Sequence, residues 1–207
     1  MSAKFRSLEE DKQERIINEA MKEFARSGYD RASTNEIVKA ADIAKGSLFV
    51  YFGSKKGLYL FLLDYISEAV GRIYDEMDWS ETDILRRIWN VGLIKLKFYN
   101  KHPQAFDFLK AASHEDAVEV KSEIDKMSKA NVEIASERFV RDADLTKFRD
   151  DIDIEAAISV INWTAMGLAQ LQTDRLASSD EIGPDVLQEW RKYLAFLEQC
   201  FYDKKEE

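Results

Sequence analysis

The residues of this 207-residue chain whose types and spacing could do chemistry are concentrated in one run, Lys45-Gly46-Ser47-Leu48-Phe49-Val50-Tyr51-Phe52-Gly53-Ser54-Lys55-Lys56. On a helix Leu48 and Phe52 fall four apart on one face, which leaves Lys45, Gly46, Ser47, Phe49 and Val50 displayed on the other. A cation, small residues and apolar tips on an exposed helix suit the major groove of DNA, where base edges are read by hydrogen bonds and apolar contacts. The chemistry implied is recognition, with no bond made or broken.

Catalytic chemistry finds less to work with. The chain has two histidines and one cysteine. His102 precedes Pro103 at a helix start, where capping is its expected role. His114, Glu115 and Asp116 are adjacent rather than three or four apart, so they do not share a helical face as metal ligands would. No Glu-x-x-His occurs, which removes a carboxylate di-metal bundle. No catalytic residue, metal ligand set or cofactor is expected, and Cys200 has no second cysteine for an intrachain disulfide.

The elements that must position the run are legible around it. Ser33 or Thr34 can cap a helix whose Glu36 would reach back as a capping box. Ile37, Ala41, Ile43, Leu48 and Phe52 are spaced so that two short helices, meeting steeply across Ala41-Asp42-Ile43, share one small core. Ahead of them, Ile16, Ile17, Ala20, Met21 and Phe24 predict a bracing helix over 9–27, ended by Gly28. Lys4 and Arg6 precede it, either as a solvated arm or as a contact to a DNA backbone or minor groove. Ser54 caps a long helix to about Met77 that would connect the motif to the rest, and Lys55 and Lys56 in its first turn oppose the helix dipole unless a phosphate binds there.

Downstream the periodicity predicts helices only. Trp79 to Thr82 forms a break, with Ser80 and Asp83 as a second capping box, before a helix to about Asn100. Pro103 opens a short helix, and a polar one over about 115–140 keeps a thin apolar stripe that includes Val118, Ile124 and Phe139. The last two helices, about 151–173 and 184–202, combine small residues with a three-four apolar spacing and are expected to pair with their copies in a second chain.

Composition agrees. With 8 Gly, 2 Pro and 45% hydrophobic residues, the chain reads as all-α with an ample core. No apolar run spans a membrane and the N-terminal residues lack a signal-peptide pattern, so a cytoplasmic location is expected. The net charge of −9 argues globally against nucleic acid, but residues 31–60 carry five basic against two acidic side chains. A small basic patch on an acidic body would orient the molecule near DNA.

Over roughly residues 12–62 the chain resembles the tetracycline-repressor (TetR) family of bacterial regulators. The resemblance rests on Ile17, Ala20, Phe24, Gly28-Tyr29, Thr34, Ile37, Ala41, Gly46-Ser47-Leu48-Phe49, Tyr51-Phe52 and Ser54-Lys55 with Leu58. Two positions depart from the family pattern: Asp42 stands where glycine is common in the turn, and Phe49 where tyrosine is common in the recognition helix.

The resemblance implies a three-helix, helix-turn-helix DNA-binding domain over 1–56 and a helical effector-binding and dimerisation bundle over 57–207, about nine helices in all. It implies that Lys45, Gly46, Ser47 and Phe49 face bases while Thr34, Tyr51, Ser54 and Lys55 hold phosphates. It further implies a homodimer on a palindromic operator, formed through the last two helices, and a small-molecule effector. Trp89, Phe106, Trp163 and Met166 are the candidate ligand-lining residues, and their apolar character favours an apolar or amphipathic effector. A helical interaction protein of the same fold without DNA binding, or a ligand-binding helical enzyme, remain as alternatives.

Overall fold

The structure, a computed structural model, describes residues 3–175 and 184–203. Among these residues it is helical throughout: α1 Ala3–Arg6, α2 Glu10–Arg31, α3 Thr34–Ala40, α4 Ser47–Phe52, α5 Lys55–Asp75, α6 Ile84–Lys101, α7 Pro103–Ser113, α8 Val118–Val140, α9 Ile154–Arg175 and α10 Pro184–Phe201, with one 3-10 turn at Leu145–Lys147. Packing groups them into two units. One holds the described residues up to Gly71 together with His102–Asn131, and the other Arg72–Lys101 together with the described residues from Val132 onward.

In the first unit α2 lies against α7, α3 packs on α2 and on α4, and α1 lies against α4. Its core joins Ile16, Ile17, Ala20, Met21 and Phe24 of α2 to Ile37 and Val38 of α3, Leu48 of α4 and Leu58, Leu62 and Leu63 of α5. Beneath them Phe24, Tyr29, Tyr59 and Phe108 make edge-on ring contacts, with centroids 5.0 Å apart for Phe24–Tyr59, 5.2 Å for Tyr29–Tyr59 and 5.1 Å for Tyr59–Phe108. Gly28 does terminate the regular part of α2. Its φ of 69° and ψ of 170° kink the helix, a region open in practice only to glycine. The kink turns the Tyr29 N–H out of the helix to donate to the Glu115 carboxylate at 2.6 Å.

In the second unit the N-terminus of α6 is organised by charged side chains. Asp83 accepts from the N–H groups of Leu85 at 2.9 Å and Arg86 at 3.1 Å, so it is itself the cap, and Ser80 turns instead to Asp78. The same carboxylate takes Lys147 Nζ at 2.8 Å and the Tyr202 hydroxyl at 3.1 Å. The C-terminal end of α10 is thereby clasped, with Phe148 and Tyr202 rings 4.9 Å apart and backbone bonds from Arg149 to Phe201 and from Asp203 to Lys147. Arg87, fully buried, donates to the carbonyls of Phe139 and Arg141 at the end of α8 and to that of Glu81. A cation there satisfies orphan acceptors and complements the helix dipole.

Three local expectations are corrected. His102 stands at the N-cap of α7, but its side chain makes no capping hydrogen bond. Val118 is 95% exposed and does not belong to the buried stripe of α8, which is carried by Val120 and Ile124. The box at Ser80 and Asp83 is replaced by the Asp83 cap. Burial pushes the Asp83 carboxyl up, but the hydrogen bonds from Lys147, the Arg86 N–H and Tyr202 outweigh it and leave the pKa lowered. A carboxyl depressed in the folded state contributes stability that is present above its unfolded value near 4 and is lost as pH falls through the folded value. Urea denaturation between about pH 7 and pH 3 is therefore expected to show a loss of stability on acidification that is smaller in Asp83→Asn, itself destabilised at neutral pH by roughly 1–3 kcal/mol.

Candidate nucleic-acid interface

The interface is built from α3, α4 and the turn between them. Ser33 caps α3, its hydroxyl accepting from the Glu36 N–H at 3.4 Å. The expected return bond from Glu36 is not made. The Ser33 N–H goes instead to Glu23 of α2 at 3.0 Å, whose buried carboxylate also takes Ser27 and Arg26. A long-range acceptor already inside the core does the work of the box.

The turn closes as a Schellman motif. Ile43 N–H donates to the Val38 carbonyl at 3.0 Å and Asp42 N–H to that of Lys39 at 3.3 Å, with Asp42 between them at φ 52°. Aspartate tolerates this left-handed conformation better than most residues, so the departure from glycine leaves the turn intact. Arg15 of α2 locks it from outside, donating from Nε to the Ala41 carbonyl at 2.9 Å.

Helix α4 divides as expected. Leu48 is fully buried and Phe52 nearly so, while Phe49 is 47% and Val50 51% exposed. Lys45 and Gly46 are exposed beside them, Ser47 is half-buried at the first helical position, and no ion pair is made by Lys45 among the described residues. A phenyl ring left half in water on a six-residue helix costs hydration unless something apolar covers it. The methyl group of thymine is such a cover in a major groove.

At the far end of α4, Gly53 has φ 78° and Ser54 opens α5, accepting the Gly57 N–H at 2.9 Å. A β-carbon on Gly57 would lie 2.1 Å from the Phe52 carbonyl oxygen, so the end of α4 abuts the first turn of α5 backbone to backbone. Sequence reading found no role for Gly57; a glycine three residues after a helix cap was the available signal. Tyr51 is half-buried with its ring 5.7 Å from that of Phe5, and Thr34 is half-buried in the first turn of α3. Lys55 has a second occupation: its ammonium donates to the carbonyls of Asp30 at 2.9 Å and Ala32 at 3.2 Å and lies 4.8 Å from the Tyr29 ring centre. Lys56 pairs with Glu123 at 2.7 Å.

The sequence of this region and the fold of the chain are similar to those of known proteins. Residues 16–61 match the model described as bacterial regulatory proteins, tetR family. Over that stretch the chain is similar to the DNA-binding part of TetR-family regulators. The HTH-type transcriptional regulator YuxN of Bacillus subtilis is 44% identical over 55 residues, 27% of this chain and 19% of that protein. The sequence matches to YuxN and a second regulator, YvdT, span only 19% and 41% of those curated relatives' own lengths. A TetR family transcriptional regulator from Chloroflexus aurantiacus has the same fold over nearly the whole chain, with TM-score 0.70 and 24% identity, covering 98% of this chain and 99% of that one. The transcriptional regulator FadR from Bacillus subtilis, solved in complex with stearoyl-CoA, has TM-score 0.65 and 15% identity and covers 89% and 96% of the two chains. These relatives and solved structures are named as transcriptional regulators. Among the described residues no helix is long and apolar enough to cross a membrane.

The candidate ligand-lining residues are dispersed. Trp89 of α6 is half-buried with the Arg191 guanidinium 4.9 Å from its ring centre. Phe106 of α7 is half-buried and belongs to the first packing unit, whereas the other three belong to the second. Trp163 and Met166 of α9 are 70% and 50% exposed. Side chains that open to solvent cannot wall an enclosed cavity within one copy, so this pair suits a partner surface better than a pocket.

The abutment at Gly57 makes a sharp prediction. Gly57→Ala is expected to destabilise the protein by about 1–3 kcal/mol in urea titration, although alanine is the better helix former, because α4 and α5 must move apart. Unchanged or raised stability would show that the contact is not a constraint.

Proposed function

We propose that this chain is a regulator of the TetR family, a homodimeric repressor that grips a palindromic operator with residues 33–56 and releases it when a small apolar or amphipathic effector enters its C-terminal part. The observation that carries the reading is the exposed face of α4, where Phe49, Val50 and Lys45 stand out over buried Leu48 and Phe52. Lys45, Gly46, Ser47 and Phe49 are assigned to bases; Thr34, Tyr51, Ser54 and Lys55 to phosphates. The ammonium of Lys55 has three protons and spends two on the carbonyls that end α2, which leaves one for a phosphate oxygen. The Ser54 hydroxyl accepts from Gly57 and retains its own proton for the same purpose. The functional division into a DNA-binding part, 1–56, and an effector and dimerisation part, 57–207, belongs to this reading, as does a cytoplasmic location beside the chromosome.

Dimerisation is assigned to α9 and α10. Val160, Trp163 and Leu171 recur along α9 with Gly167 among them, and α10 adds Tyr193 and Phe196, the latter 61% exposed. Apolar side chains of this size in one region are what a self-complementary helical interface requires. Two copies of α4 held at one spacing read two half-sites, and an effector acts by preferring a different spacing. Its differential affinity for the two spacings sets how far the equilibrium shifts. Trp89 is assigned to the effector. The stearoyl-CoA in the FadR complex is an amphipathic molecule bound by a protein of this fold, which supports that ligand class.

Selection of bound duplexes from a random pool is expected to enrich a palindrome, and no enrichment would favour an interaction protein of the same fold. Ser47→Ala and Phe49→Tyr are expected to change the preferred sequence by about 1–3 kcal/mol at the base pairs concerned, whereas an equal loss for every sequence would contradict base reading. Sedimentation at micromolar concentration is expected to give a dimer. Trp163→Asp with Phe196→Asp should give a monomer of unchanged helical content, and a dimer that survives both changes places the interface elsewhere.

A further inference from the structure

The first six residues have no part in the operator grip proposed for 33–56, and net charge does not decide between the solvated arm and the DNA contact open to Lys4 and Arg6. Residues 1–12 contain three basic and three acidic side chains, so no basic arm is evident from charge. A four-residue helix does not hold its shape in water by itself. Yet Phe5, in the middle of α1, is 1% exposed. Its ring lies 4.9 Å from that of Phe52, 5.5 Å from that of Phe61 and 5.7 Å from that of Tyr51.

The anchor is on the recognition helix itself, and the backbone around it is tied down. Ser7 donates from its hydroxyl to the Lys4 carbonyl at 3.0 Å, Leu8 N–H to that of Phe5 at 3.1 Å, and Gln13 Nε2 to that of Leu8 at 2.8 Å. Lys4 and Arg6 flank the anchor, both are exposed, and neither forms an ion pair among the described residues. The three acidic residues that cancel them on paper have another use: Glu9 precedes α2, and Glu10 and Asp11 occupy its first turn, where negative charge is favoured.

We propose that Ala3–Arg6 is a further DNA-contacting element, in which Phe5, seated on Tyr51 and Phe52, holds Lys4 and Arg6 against backbone phosphates beside the recognition helix. The inference rests on the DNA-binding reading of α4. Phe5 is the positioning residue, and its burial spares the two cations most of the ordering cost that a free arm would meet on binding. Lys4 and Arg6 add affinity without sequence preference, since phosphates carry no base information.

The test compares the salt dependence of binding for the full-length chain and three variants, with a random-sequence duplex and the duplex enriched by selection as probes. In Lys4→Gln with Arg6→Gln the slope of log affinity against log salt is expected to fall by about 4 per dimer on both probes, from the loss of two phosphate contacts in each protomer, with the enriched sequence unchanged. Phe5→Ala is expected to lose the same slope although both cations remain, and Phe5→Leu to restore most of it. A purely structural role for Phe5 would lower the melting temperature and leave the slope alone. An unchanged slope in the glutamine variant, with the wild type binding, overturns the proposal. Absence of wild-type binding to either probe overturns the DNA-binding reading instead. Should Phe5→Ala fail to fold, the glutamine variant, altered only at two exposed positions, decides alone.

Discussion

The carbonyl oxygen of Phe52 occupies the space in which any side chain at position 57 would begin. That single backbone approach governs the reading end of the molecule. Helix α4 has six residues, too few to be helical by propensity, and it exists because Leu48 and Phe52 are buried beneath it and because its last turn is stopped against α5. Gly53 at φ 78° makes the turn, Ser54 caps α5, and Gly57 lets the two ends meet. The exposed side chains of α4 are therefore held on a rigid seat.

Elsewhere the same physics recurs: helix ends leave backbone groups without partners, and charged side chains from distant elements satisfy them. Glu23 takes the N–H of Ser33, Glu115 that of Tyr29, Lys55 the carbonyls that end α2, and Arg87 those that end α8. Each bond joins groups far apart in sequence. Removing any one partner would strand a polar group at a helix end, which costs more than the bond itself contributes.

Two surfaces stand apart from this economy of satisfied groups. One is the outer side of α4, the other the outer side of α9 and α10, where Trp163 and Phe196 are more than half exposed. Both carry large apolar side chains that the chain itself does not cover. The first sits where the family match lies, and the second is of the kind from which helical dimers are made.

The amino-acid order by itself determined the elements and the motif. Apolar spacing placed the helices to within a few residues, Ser33 and Ser54 announced their caps, and Leu48 with Phe52 told which side of α4 faces inward, because all of these depend on neighbours within one or two turns. Asp42 was legible as a departure from glycine in the turn only through the family resemblance, and its left-handed conformation is a finding of the structure. Tertiary structure decided what local order cannot: that Glu23 and not Glu36 serves Ser33, that Lys55 ends α2, that Val118 is bare, that Trp163 and Met166 face outward and that Phe5 is seated on the recognition helix. Periodicity says which face of a helix is apolar. It does not say whether the surface that covers that face belongs to the same chain, to a second copy or to nothing, and only the packed structure chooses among them.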